Sequence, residues 1–177
     1  MKYVEGLRCR ECGRDYPVAP QHACEFCWGP LEVVYDYSAI ASEVSRSSIA
    51  DGPESIWRYA SLLPDPGGER VDLGAGWTPL RRAPRLAAEL GLDSLWLKLD
   101  GLNPTHSFKD RVVSVALTNA RSFGYDVAAC ASTGNLANAV AAHAASAGMQ
   151  SVVFIPNDLE RGKVAATTVY GGRVLRD

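Results

Sequence analysis

From residue 94 onward the chain repeats one unit: a short apolar run, a polar turn, then apolar residues at helical spacing. Leu95, Leu97 and Leu99 alternate with Trp96 and Lys98, the period of a half-buried strand, and Pro104 ends it. Phe108, Val112, Val115, Ala116 and Phe123 then recur at roughly helical intervals, with Thr105 or Ser107 placed as N-cap. Residues 127–131 read as a buried strand, and Leu136, Ala139, Val140, His143 and Ala144 mark the helix after it. A further helix around Lys163 to Val169 leads into Gly171 to Leu175, the start of another strand. Successive units of this kind predict a mainly parallel sheet covered by helices. The apolar stretch 139–147 is too short for a membrane span, contains His143 and Ser146, and ends at Gly148, so it reads as a buried helix.

Two of the changeovers carry chemistry. Lys109 falls in the first turn of its helix, where the positive end of the helix dipole and partial burial both disfavour a second positive charge. A neutral amine is the form that attacks an aldehyde, as pyridoxal phosphate requires. Lysine is also scarce: Lys2, Lys98, Lys109 and Lys163 are the only ones, and the strand pattern gives Lys98 a packing or salt-bridge role. One unit later, Ser132, Thr133, Gly134 and Asn135 place hydroxyls, a permissive backbone and an amide at another helix N-terminus, where backbone N–H groups bind a carboxylate or phosphate.

The amino terminus carries a separate signal. Cys9-x2-Cys12 and Cys24-x2-Cys27 lie eleven residues apart in a segment rich in Gly and Pro, the arrangement of a zinc ribbon with four thiolate ligands. Disulfides are the competing reading, set against the lack of an apolar signal peptide before the cysteines. A metal-free ribbon is the other. Such a zinc would be structural, and Cys130 reads as a small core residue. With 18 basic and 20 acidic residues the chain lacks the positive field that nucleic acid requires, and the Arg8, Arg10, Arg14 and Arg81, Arg82, Arg85 clusters read as solvated faces. The expected location is cytoplasmic, with no membrane or nucleic-acid partner.

Together, the cysteine pairs, Trp77-Thr78-Pro79-Leu80, the run from Leu95 to Thr105, Ser107-Phe108-Lys109-Asp110-Arg111 and Ala131-Ser132-Thr133-Gly134-Asn135 resemble the fold-type II pyridoxal phosphate enzymes, and within them the threonine synthases. The resemblance implies that Lys109 holds pyridoxal 5'-phosphate covalently and acts as acid and base. It implies that Asn135 contacts the cofactor 3-hydroxyl, and that Ser132, Thr133 and Gly134 receive the carboxylate of an amino-acid substrate. The implied reaction converts O-phospho-L-homoserine and water to L-threonine and phosphate. Dehydratases of threonine or serine and cysteate synthase share the lysine and asparagine, and a non-catalytic zinc-ribbon fragment is the alternative outside enzymes.

The family usually has glycine at the position of His106, which matters if the backbone there needs positive φ; a histidine could also touch cofactor or substrate. Asp100 reads as a structural partner for a basic group, and Arg111 either neutralises phosphate or pairs with Asp100 or Asp110. At 177 residues the chain is about half as long as the enzymes it resembles, so the expectation is a fold that stops midway. That fold is a tryptophan synthase β-like three-layer α/β/α sheet, present in part. Its expected segments are a zinc-ribbon-like 1–37, part of a large cofactor-binding domain at 38–122 and the start of a small α/β domain at 123–177. The parent is expected to be a homodimer. Neither a glycine-rich phosphate loop nor a contact for the pyridine nitrogen is evident.

Overall fold

The computed structural model describes residues 1–176; Asp177, the last residue of the third expected segment, lies outside the described residues. Three antiparallel strands, β1 (Val4–Cys9), β2 (Asp15–Tyr16) and β3 (Leu31–Tyr35), form a small sheet in the order β2-β1-β3. Helix α1 (Tyr37–Glu43) follows, its first turn capped by the Asp36 side chain accepting from the Ala39 amide at 2.8 Å. The Tyr3 hydroxyl donates to Glu43 at 2.9 Å, and Lys2 pairs with the same carboxylate, which ties the sheet to this helix.

Helix α2 (Arg46–Ala50) starts in a Ser45–Ser48 capping box, and a 3₁₀ segment covers Ile56–Leu62. Strands β4 (Leu80–Arg82) and β5 (Trp96–Lys98) pair antiparallel on either side of α3 (Pro84–Glu89). Both strands are exposed, which corrects the expectation of a half-buried strand around Leu97. Alternation requires a covering layer on one face, and this two-stranded pair packs neither face closely against another element.

The expected alternation then follows: α4 (Lys109–Ser122), β6 (Val127–Ala131), α5 (Asn135–Ser146), β7 (Gln150–Ile155), α6 (Arg161–Thr168) and β8 (Arg173–Arg176). The strands form a parallel sheet in the order β6-β7-β8. Strand β6 is an edge strand with Val127 and Ala129 exposed and Ala128 buried, so it is less covered than its apolar run implies. Val71, Val113, Leu117, Ala128, Ala139, Val140, Ala144 and Met149 form one core, joining residues on both sides of position 122. Burial of Val113, Leu117 and Val140 contributes roughly 1.5–3 kcal/mol each. Ala137, Val153 and Ile155 form a second cluster, and Cys130 touches both. Gly172 sits close against α5 and β7: a Cβ there would lie 2.8 Å from the Ser151 hydroxyl, which would have to rotate away, and 3.4 Å from the Ala141 methyl.

Helix α4 exists where expected but buries a different face. Its buried residues are Asp110, Val113, Ser114, Leu117 and Thr118, whereas Phe108, Val112 and Phe123 are exposed. Polar residues occupy the inner face because each finds a partner. Ser114 accepts from the Trp57 indole at 3.0 Å and donates to the Val71 carbonyl at 2.6 Å, and the Thr118 hydroxyl accepts from the Val71 amide at 2.9 Å. The apolar outer face looks across a cavity of about 270 Å³ toward Val4, Leu7, Val18 and Val33 of the amino-terminal sheet.

Candidate active site and cysteine centre

The turn before α4 is held by buried side chains that bond its backbone. Buried Asn103 accepts from the Gly76 amide at 2.9 Å and donates to the Asp100 carbonyl at 2.8 Å. The Thr105 amide and hydroxyl both donate to the Asp110 carboxylate at 2.8 Å, and Ser107 Oγ accepts from the Lys109 amide at 3.2 Å. Neither N-cap candidate takes that position: Phe108 stands at the N-cap with no side-chain cap, Ser107 precedes it and bonds only the Lys109 amide, and Thr105 serves Asp110. His106 sits at φ 61°, in the left-handed region, and its Nδ1 lies 3.1 Å from the Gly101 carbonyl. The backbone condition that favours glycine at this position is thus met, and histidine meets it with one local hydrogen bond. His106→Val is expected to destabilise the chain by about 1–2 kcal/mol and His106→Gly by less than about 1 kcal/mol, as urea midpoints; equal losses would show that the turn is not strained.

Lys109 is half-buried at the first position of α4, with its amine 4.6 Å from the Phe108 ring centre. Lys2 pairs with Glu43, Lys163 lies 3.7 Å from Glu160, and Lys98 donates to the Thr78 carbonyl. Among the described residues, Lys109 is therefore the one lysine whose amine has no hydrogen-bond or ion-pair partner. Arg111 is committed elsewhere: it grips Asp100 through two nitrogens at 3.0 and 2.8 Å and reaches the Thr78 hydroxyl at 3.2 Å. Hydrogen bonds from Arg111, with a smaller one from Thr78, hold the Asp100 carboxyl below its ordinary range. Asp100 thus acts as the partner of a basic group, and Arg111 pairs with Asp100 and not with Asp110.

The second turn leads from β6 into α5. Gly134 stands at the N-cap with no side-chain cap, leaving the first amides of α5 to other acceptors. Ser132 anchors the turn by donating its amide to the Phe154 carbonyl at 3.2 Å, and its hydroxyl accepts from the Gly134 amide at 3.4 Å. Thr133 and Asn135 are exposed. Ser132 and Thr133, with Phe154 and Pro156, line an open cavity of about 470 Å³ at the carboxyl ends of β6 and β7. Neither Lys109 nor Asn135 is among its walls, and no hydrogen bond joins these two residues among the described ones. The two turns are instead linked through Asp110, whose Oδ1 lies 3.1 Å from His143 Nε2 in the third turn of α5. Burial lowers the His143 pKa against the pull of Asp110, which favours the neutral ring; Nε2 faces the Asp110 carboxylate and buried Nδ1 has no partner.

The predicted residues thus stand as two separate groups: an amine at one helix start, the kind of group that attacks an aldehyde, and an uncapped helix N-terminus with two hydroxyls, the kind that holds an anion. His143 and Asp110 were legible only as a helix residue and a possible ion-pair partner, because their contact is long-range.

The four cysteines of the paired motifs converge, all sulfurs lying within 4.8 Å of one another. Cys9 and Cys27 are 3.4 Å apart and Cys12 and Cys24 3.6 Å apart, and all are free thiols. The two knuckles share one backbone pattern. The Gly13 amide bonds the Cys9 carbonyl and the Trp28 amide the Cys24 carbonyl, each at 3.0 Å, while the Cys9 and Cys24 amides bond the Arg14 and Gly29 carbonyls, each at 2.8 Å. Gly13 and Trp28 both take positive φ, of 74° and 60°. Tyr16, which the spacing does not reveal, places its hydroxyl 3.0 Å from Cys24 Sγ. Burial raises the Cys24 thiol, yet hydrogen bonds from Tyr16 and the Cys27 and Phe26 amides bring it down to about 6. At Cys27 the Gly29 amide lowers the thiol, but the adjoining sulfurs, Cys9 first, push it up to about 12. Four thiols crowded this way cannot all ionise without a cation among them.

Residues 71–176 match the family described as pyridoxal-phosphate dependent enzyme. The chain is 41% identical over 171 residues to threonine synthase of Methanosarcina acetivorans, covering 96% of this chain and 42% of that protein. To threonine synthase of Methanocaldococcus jannaschii it is 40% identical over 172 residues, with the same coverage of 96% and 42%. It therefore spans less than half the length of these relatives. Among solved structures, O-ureido-L-serine synthase aligns with a TM-score of 0.55 and 26% identity over 63% of this chain and 36% of that one. The processed threonine deaminase isoform 2 of Solanum lycopersicum aligns with a TM-score of 0.52 and 26% identity over 56% of this chain and 28% of that one. No described helix is long and apolar enough to cross a membrane.

Proposed function

Because the chain belongs to the pyridoxal-phosphate dependent enzyme family, we propose that it is the part of a threonine synthase that carries the covalent lysine. The observation that carries the reading is Lys109, a half-buried residue at a helix start and the one lysine whose amine has no hydrogen-bond or ion-pair partner among the described residues. When bound, pyridoxal phosphate supplies an electron sink for the bonds broken at the substrate. Lys109 would hold the cofactor, and its amine, once free, would take protons from the α- and β-carbons of O-phospho-L-homoserine and return them to the γ- and α-carbons, as phosphate leaves the γ-carbon and the hydroxyl of water adds at the β-carbon. Ser132, Thr133 and Gly134 orient the substrate carboxylate with their hydroxyls and the uncapped amides of α5. Asn135 would contact the cofactor 3-hydroxyl. The net reaction gives L-threonine and phosphate.

Incubation with pyridoxal phosphate and O-phospho-L-homoserine, inside the full-length polypeptide that carries this segment, is expected to release phosphate and threonine in equal amounts. Oxo-acid formation from threonine or serine without phosphate release from phosphohomoserine would replace the reading by a dehydratase. A structural zinc held by Cys9, Cys12, Cys24 and Cys27 completes the proposal. Zinc–sulfur bonds of about 2.3 Å in a tetrahedron put the sulfurs roughly 3.8 Å apart, within the range of the cluster. The substrate is a small amino acid, and the parent is a homodimer.

A further inference from the structure

Asp110 and His143 are both fully buried, and neither belongs to the two groups just described. A buried polar pair is a poor way to gain stability, since apolar residues of the same volume usually do as well or better. This pair also leaves His143 Nδ1 without a partner. What it supplies is position. The Asp110 carboxylate collects three hydrogen bonds: the Thr105 amide and hydroxyl, which fasten the start of the turn to the first turn of α4, and His143 Nε2 from α5. Successive helix residues point about 100° apart, so with Asp110 turned inward the direction of Lys109 beside it is set. His143 stands on the helix that begins at Asn135. The chain Thr105–Asp110–His143 is thus the one polar connection between the turn bearing Lys109 and the helix bearing Asn135 among the described residues.

We propose that His143 is a positioning residue, which through Asp110 fixes the Lys109 turn relative to the helix that starts at Asn135. It touches neither cofactor nor substrate. The proposal rests on Lys109 being the covalent lysine, and it makes a prediction even where that reading fails.

His143→Leu removes the donor while keeping an apolar side chain of similar bulk, and His143→Gln restores an amide donor near the position of Nε2. Each variant, checked for folding by circular dichroism, is treated with pyridoxal 5'-phosphate and borohydride, and the rate at which the Lys109 peptide gains the pyridoxyl mass is measured. In parallel, amide hydrogen exchange at Thr105 is followed without cofactor. His143→Leu is expected to slow labelling of Lys109 about tenfold or more and to speed exchange at Thr105, with both effects largely reversed in His143→Gln. A folded His143→Leu that labels and exchanges like the parent overturns the proposal. If His143→Leu does not fold, Asp110→Asn carries the same comparison, since Asn keeps the size and can still accept from the Thr105 amide. If the unaltered chain gains no label on Lys109, the proposed function fails, and Thr105 exchange alone then decides whether His143 holds the turn.

Discussion

Lys109→Ala is expected to abolish covalent capture of pyridoxal phosphate. Borohydride reduction of the unaltered chain should leave one pyridoxyl group on the peptide containing Lys109, and the variant should show background label only. Lys109→Arg should behave like the alanine variant, because a guanidinium stays protonated and has no lone pair to offer an aldehyde. Turnover in the full-length polypeptide should fall by on the order of a thousandfold or more, as when other covalent catalytic groups are removed. The competing lysines make the experiment decisive. Lys98 is spent on the Thr78 carbonyl beside the Asp100–Arg111 pair, and Lys163 is an exposed residue near Glu160. Label on either of these, with Lys109 unmodified, would refute the assignment.

The repeating units were legible because hydrophobic period survives in sequence: α4, β6, α5, α6 and β8 all lie where their apolar residues place them. Burial was less legible. The inward face of α4 is written in Asp110, Ser114 and Thr118, whose partners Thr105, Val71, Trp57 and His143 come from other parts of the chain. A pattern that scores apolar residues assigns the core to Val112 and Phe123 instead. Strands β5 and β6 were misjudged for a related reason, since an apolar run does not say whether a neighbouring strand or helix is present to cover it. At the site, residues close in sequence were found, including Lys109, the Ser132 to Asn135 turn and the strain at His106. The tie between the two turns was not, because Asp110 and His143 are separated by 33 positions and meet only once α4 packs on α5.

The same distinction bears on the cysteines, where local spacing was sufficient. The amino-terminal sheet has little apolar core of its own: Tyr3, Leu7, Cys9 and Cys24 are its buried members of any size. Four sulfurs at its centre, all within 4.8 Å of one another, repel one another once ionised. A divalent cation removes that repulsion, and binding of structural zinc contributes an apparent 10–16 kcal/mol, roughly, in ribbon-sized peptides. The purified chain is therefore expected to hold about one zinc per molecule by elemental analysis. Chelation or Cys24→Ser should release it and expose the amides of β1 and β3 to rapid exchange. Acidification should do the same, because protons compete for the thiolates. The outer face of α4 shares a cavity with this sheet, so loss of the metal should also raise exchange near Val112 and Ala116 while leaving β7 and β8 protected. A chain that contains no metal as isolated, yet keeps β1 and β3 protected, would show that the ribbon stands on hydrogen bonds such as Tyr16 to Cys24 alone.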